Sequence, residues 1–293
     1  MTWKKVLGFW WSGCLMIQTL LAQPTGQEKV ELLNQLLLSL PSPLEISSII
    51  KEEGVAFAPN LLAVPLQTAN QQSISEYQAA INLGVFSGSL GYVNFYEGTD
   101  SLSQVYLESI VATASRLNLQ NQIDFARIAQ YAFSKNLNGL LAETANSFEK
   151  MNVQLLNEKK EHLSVLILAG GWIETLYLTC QAARLKPTKI LEDRIAEQKL
   201  VLNQLLPLFN SYRSGGEMER LYTNLKKLET LFQDIRIRQK ARSNEDFVIE
   251  KIGNLEVIIY GRFDNQKGNT RYKEEELMLI ITETEAIRKQ VAL

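Results

Sequence analysis

Residues 163–184 read Leu-Ser-Val-Leu-Ile-Leu-Ala-Gly-Gly-Trp-Ile-Glu-Thr-Leu-Tyr-Leu-Thr-Cys-Gln-Ala-Ala-Arg, with no charge except Glu174 and the terminal Arg184. As a helix this segment is apolar on nearly every side, so it must be enclosed. Its length would allow a membrane crossing, but an acid at the midpoint is costly in hydrocarbon. The reading that remains is a helix at the centre of a bundle. That in turn requires several amphipathic helices elsewhere in the chain to enclose it.

The rest of the sequence supplies them. Glu28 to Ser39 carries leucines at helical spacing and stops at Pro41-Ser42-Pro43. Ser42 as cap, Pro43 at the first helical position and Glu45 open a second helix, which ends at Gly54. Pro59 and Pro65 argue for an extended loop over 55–72. Ser73-Ile-Ser-Glu76 reads as a capping box opening a helix to about Tyr96, and Asp100 or Ser101 opens the next, to Leu117. Further helical stretches are expected at 122–135, 137–157, 161–184, 188–212 and 216–241, with 188–212 kinked or broken near Pro207.

Near the C-terminus the period changes. Phe247 to Glu250 and Leu255 to Tyr260 flank Gly253-Asn254 and predict a small β-hairpin. A charged loop through Gly268 follows, then a last amphipathic helix from Arg271 to about Val291. No strand is expected elsewhere, hence no βαβ sheet for a dinucleotide or a nucleophile elbow. The fold class is therefore all-α: a multi-helix bundle or irregular stack of helix pairs, with a small C-terminal β-hairpin and final helix. Leu83 to Leu117 resembles a tetratricopeptide helix pair, but it does not recur at a constant period. The domain division expected is 1–22 as signal peptide, 23–241 as helical domain, and 242–293 as hairpin plus final helix packed on that domain.

The signal-peptide assignment rests on Lys4 and Lys5, the apolar run Val6 to Leu21, and the break at Ala22-Gln23. Leu20 at position −3 is larger than the usual residue there. Two alternatives are an uncleaved anchor and a lipoprotein attached through Cys14 in Trp11-Ser12-Gly13-Cys14. Cleavage removes Cys14, Trp3, Trp10 and Trp11, and leaves Cys180 and Trp172 as the sole thiol and indole. The expected address is periplasmic or envelope-associated, with no membrane span in the mature chain. With no internal disulfide available, stability must come from core burial, which about 270 residues can supply. Cys180, in an apolar run, is expected in the core.

Composition excludes much chemistry. A single histidine rules out zinc sites needing two, and two cysteines rule out four-thiolate sites. The formal charge of −2 becomes −4 once Lys4 and Lys5 leave, so nucleic acid has no electrostatic footprint and is not expected as a partner. Ser48-Ile-Ile-Lys51 matches the SxxK pattern, but no KTG or SDN element accompanies it. No P-loop, GxGxxG, GxSxG or EF-hand loop occurs. His162, beside Lys159-Lys160-Glu161, reads as a surface residue, and Glu274-Glu275-Glu276 as a solvated face. No cofactor and no metal ligand is expected.

Two helices carry the remaining candidates. In 73–96, Gly84, Gly88 and Gly91 each cost about 1 kcal/mol relative to Ala, so close helix packing must offset them. A sharper reading makes Tyr92, Phe95 and Tyr96 walls of a pocket beside the glycines. In 163–184, a buried Glu174 must be paired, hydrogen-bonded or protonated. It is read either as the structural partner of an Arg, Lys or Tyr on a neighbouring helix or as a pocket residue with Trp172 and Tyr177. The candidate ligand-binding set is thus Trp172, Glu174, Tyr177 and Tyr92.

Three blocks also carry a resemblance. Leu40-Pro-Ser-Pro-Leu-Glu-Ile-Ser-Ser48 with Lys51 and Gly54-Val55, then Asn82-Leu-Gly-Val85, then Leu168-Ala-Gly-Gly-Trp-Ile-Glu174, resemble a functionally uncharacterised family of exported all-helical proteins of Bacteroidetes. The blocks span most of the mature chain. The resemblance implies an envelope location and brings no catalytic residues. Those relatives carry an Asp shortly after the second block, where Ser87-Gly88-Ser89 stands here. The function expected is that of a non-catalytic binding or scaffold protein of the envelope, with an unknown envelope protein or small ligand as partner. The alternative is a hydrolase or lyase using Glu174 with tyrosines in an inter-helix pocket.

Overall fold

A computed structural model of the chain describes residues 43–65, 74–212, 215–237, 247–252, 255–260 and 270–291. Among these lie nine α-helices: α1 (Pro43–Glu52), α2 (Glu76–Asn94), α3 (Asp100–Arg116), α4 (Phe125–Phe133), α5 (Leu137–Asn157), α6 (Glu161–Leu185), α7 (Lys189–Tyr212), α8 (Gly216–Phe232) and α9 (Glu274–Val291). The fold is all-α, with a two-stranded antiparallel hairpin before the final helix. The expected helix 28–39, the cap at Ser42, the signal segment and Cys14 lie outside the described residues.

Helix α6 is the hub. Among the described residues it is the one helix long and apolar enough to cross a membrane, and nearly all of its apolar stretch is buried inside the protein. Helices α1, α2, α5, α7 and α9 all pack on it, and α2 makes the most extensive contact. Both α2 and α6 bury most of their residues, consistent with two central helices that the others enclose.

Short local signals set the helix ends. Asp124 accepts a hydrogen bond from the Arg127 N–H and starts α4, and Asn136 does the same with Gly139 for α5. Asn118, Lys135 and Lys159 take left-handed backbone just after α3, α4 and α5, reversing the chain within a few residues. Helix α2 is capped by Ser75, which accepts from Gln78 N–H, rather than by the expected Ser73. Two residues of the same cap chemistry stood within reach, and Glu76 fits the first turn with either.

Three further expectations are corrected. Helix α7 runs unbroken through Pro207. Pro207 and Asn203 both lie on its exposed face, so the carbonyl left without its helical partner can bond water. The stretch 216–241 stops being helical at Phe232 and yields strand β1 (Arg236–Ile237), which pairs antiparallel with β4 (Thr270–Arg271). This short pairing was not expected, because two-residue strands leave no periodicity to read. Third, α4 begins at Phe125 rather than 122, since a 3-10 turn at Gln120–Gln122 precedes it. The predicted hairpin is present as β2 (Phe247–Ile252) and β3 (Leu255–Tyr260), in register from Phe247 opposite Tyr260 to Ile252 opposite Leu255.

The β1–β4 ribbon is fastened to the start of α7. Tyr272 donates to Glu192 at 2.8 Å, and Thr270 hydrogen-bonds Asp193. This anchorage fixes where α9 begins, and α9 then lies against α6 and α8.

Candidate ligand-binding cavity beside a glycine seam

The α2–α6 contact is a backbone-to-backbone seam. A Cβ on Gly84 would stand 2.0 Å from the Ile167 carbonyl oxygen and 2.6 Å from the Gly171 nitrogen. A Cβ on Gly170 would stand 2.2 Å from the Ile81 carbonyl oxygen. No side chain fits at either position, so hydrogen alone lets the helices meet at this distance. Gly88 is less demanding: its Cβ would lie 3.1 Å from that of Glu174. The glycine spacing in α2 thus serves close packing.

Glu174 sits at the edge of this seam with no exposure to solvent. Arg288 of α9 donates from Nε to Oε2 at 2.9 Å and from Nη2 to Oε1 at 3.3 Å. Ser89 of α2 donates to Oε1 at 2.7 Å. The guanidinium also lies over the Tyr177 ring, 4.8 Å from its centre. Both carboxylate oxygens are therefore occupied by charge-assisted bonds. Chemically this is a neutralised, hydrogen-bonded ion pair.

The four candidate residues are distributed over three places. Trp172 and Glu174 are two positions apart on one helix, about 200° around its axis, and face opposite sides. Glu174 and Tyr177, three apart, share a face and meet Arg288 there. Tyr92 stacks on Phe57 and meets Tyr96 at a tilt, ring centres 5.7 and 5.1 Å away, and its hydroxyl accepts from the Ala58 N–H. Tyr96 donates to Val55 O and Tyr106 to Ala63 O. These tyrosines fasten the 55–65 loop to the body, and Phe95 packs at the edge of the same core. Burial pushes the Tyr96 and Tyr106 hydroxyls far up, so they remain protonated donors.

Trp172 alone of the four reaches a cavity. Its volume is about 200 Å³, and it lies between the flank of the seam and α5, with the start of α1 at one wall. Gly84, Gly91 and Gly171 border it on the seam side, opposite α5. Exposed Thr144 and half-buried Leu141 and Ala145 mark its open side. Trp172 Nε1 donates to Gln198 Oε1 at 2.9 Å in the wall. No acid, lysine, arginine or histidine stands among the described residues that line it. Tyr92, Glu174 and Tyr177 are not among them either.

Of these lining residues, Gly84, Gly91 and Trp172 stand out from residue pattern alone. The α5 wall, Leu140, Ser147, Phe148 and Met151, was missed because its spacing is that of any amphipathic helix facing a core.

Elsewhere, burial pushes the Cys180 thiol up to about 12, leaving it unreactive at neutral pH. Burial lowers the His162 imidazole below its ordinary value. Among the described residues, no three acids, cysteines or histidines gather closely enough to hold a metal ion. None of the family models, curated proteins or solved structures compared with the chain matches it.

Proposed function

We propose that this chain is a non-catalytic helical binding protein that takes a small apolar ligand into the cavity between α2, α5 and α6. The observation that carries the proposal is the cavity itself, apolar and uncharged, with an indole in its wall. An apolar ligand that covers these walls gains the hydrophobic contribution of the area it removes from water. The reading as a hydrolase or lyase loses support from the same geometry, since both oxygens of Glu174 are spoken for and face away from the cavity.

The proposal includes an exported address, supported by the pattern of residues 1–22 and by the resemblance to exported helical proteins. Mass spectrometry of the mature N-terminus tests it: a start near Gln23 is expected, and an intact Met1 overturns it. The binding reading is tested through Trp172, the sole indole of the exported form. Its emission should change saturably on titration with ethylbenzene, and Ala145→Phe at the open side should weaken the effect at least tenfold. A linear, unsaturable response in the wild-type protein would remove the reading.

A further inference from the structure

The proposed binding function leaves the ligand's chemistry open, and the hydrogen-bond inventory of the cavity wall narrows it. Three of its four hydroxyls are already used. Ser87 donates to Leu83 O at 2.7 Å, Thr144 to Leu140 O at 2.7 Å, and Thr175 to Gly171 O at 2.8 Å. Each is a bond back into its own helix, of the kind that hides a hydroxyl from its surroundings. The Trp172 N–H is held by Gln198, and the Gln198 amide donates in turn to Arg194 O at 3.2 Å. The exception is Ser147 of α5. It is buried, 3% exposed, and its hydroxyl has no hydrogen-bond partner.

A buried hydroxyl without a partner costs about 1–3 kcal/mol, so the site is incomplete as it stands. What completes it is an acceptor brought in by the ligand. That acceptor cannot be a carboxylate or phosphate, because no cation among the described lining residues would offset the loss of its hydration. An ammonium is excluded by the matching absence of an acid. Size sets a second bound. An apolar cavity of about 150 Å³ holds one benzene ring, so about 200 Å³ holds a ring with a short substituent or a chain of comparable bulk. Two-chain lipids do not fit.

We infer that the cavity takes a compact, neutral, apolar molecule bearing a single hydrogen-bond acceptor, such as a ketone, aldehyde or ester carbonyl, which receives the Ser147 hydroxyl. This rests on the binding function proposed above. It also gives a use to a hydroxyl that stands among Leu140, Phe148 and Met151 in the cavity wall: the hydroxyl selects among apolar molecules by their oxygen.

Three probes of similar size separate the possibilities by calorimetry and thermal shift: ethylbenzene, acetophenone and benzoate. Ethylbenzene and acetophenone should both bind, acetophenone about fivefold tighter through one hydrogen bond, and benzoate at least tenfold weaker than either. Ser147→Ala should equalise acetophenone and ethylbenzene while leaving ethylbenzene unchanged. A thermal melt of the variant should match or exceed the wild type, since an unpaired buried hydroxyl is removed. If none of the three probes binds the wild type, the cavity is not a ligand site and the proposed function fails with it. Should ethylbenzene bind while benzoate binds equally well, or should acetophenone keep its advantage in Ser147→Ala, the binding reading survives and the ligand class assigned here is overturned.

Discussion

Arg288, in the last helix, and Glu174, at the midpoint of the central helix, stand 114 residues apart in sequence and meet with Nε 2.9 Å from Oε2. The acid is completely buried, and the arginine side chain is 13% exposed. The pair ties α9 to α6, and Ser89 on α2 joins it, so three helices converge on one carboxylate. A buried ion pair often contributes little net stability relative to apolar residues of the same volume. What it does strongly is penalise any packing in which one member lacks the other, which fixes how α9 docks.

That asymmetry gives a measurable signature. Arg288→Met leaves Glu174 buried without its cation and should cost about 3–5 kcal/mol in denaturant unfolding. Glu174→Gln retains an acceptor for Ser89 and strands a partly exposed arginine, so its cost should be smaller, about 2–3 kcal/mol. The double variant Glu174→Gln/Arg288→Met should lose less than the two single effects combined, by at least about 2 kcal/mol. Strict additivity would mean that the pair does not hold the helices together. Binding to the cavity should survive Glu174→Gln, because the two lie on opposite faces of α6.

The seam yields a contrast between adjacent glycines. Gly84→Ala and Gly170→Ala would drive a methyl to 2.0 and 2.2 Å from backbone oxygens, so the helices must part. Both should lower stability by 3 kcal/mol or more, beyond the ordinary range of overpacking. Gly171→Ala meets nothing closer than 3.6 Å and gains helix propensity, so its thermal midpoint should hold or rise, by up to about 1 kcal/mol of stability. Equal losses at Gly170 and Gly171 would refute the seam geometry. The methyl of Gly171→Ala also enters the cavity wall and should weaken ethylbenzene binding.

These contrasts show what was legible in the sequence and what was not. The central position of α6 followed from its lack of a polar face, and the close approach of α2 from its glycine spacing, since both depend on patterns within one helix. The need of Glu174 for a partner was legible too, but its identity was not: Arg288 is one of several cations on the last three helices, and only the docking of α9 selects it. The grouping of Trp172 with Glu174 and Tyr177 came from their nearness along the chain, whereas position around the helix axis decides which surface each side chain shares. The cavity was harder still, because a void is defined by what several helices fail to fill. The β1–β4 pairing depends on contacts to α7 that no local pattern encodes.

Cys180 offers a clock for unfolding. It is fully buried in the middle of the core, and burial pushes its thiol up to about 12, so the reactive thiolate is scarce at pH 8. Cys14 is the other cysteine of the sequence, so the measurement is made on a Cys14→Ser variant. An aromatic disulfide reagent should label it stoichiometrically in denaturant but not in the native state on the timescale of minutes. Native labelling should proceed at the rate of global opening and fall further when a cavity ligand is added. Rapid labelling of the folded protein would contradict the position of Cys180 in the core.

The single imidazole sets the last prediction. His162 lies in the first turn of α6, near the ion pair of Lys160 with Glu76, whose nitrogen and oxygen are 2.6 Å apart. Its burial lowers the imidazole from the ordinary 6.5, opposed by the acids Glu76 and Glu161 and assisted by Lys160. The native state therefore binds this proton less readily than the unfolded chain. Above pH 6.5 both states are neutral and His162 contributes no pH dependence. As the pH falls below 6.5, the unfolded chain takes up a proton that the native state refuses, so stability declines until the native imidazole also titrates, and then levels off. Because the chain holds one histidine, its ring signals in a proton NMR titration are unambiguous. A native midpoint below 6.5 is expected, moving lower still in Glu76→Gln, which removes an acid that favours the charged form. A midpoint at or above 6.5 would show that charge from Glu76 and Glu161 outweighs burial at the head of the central helix.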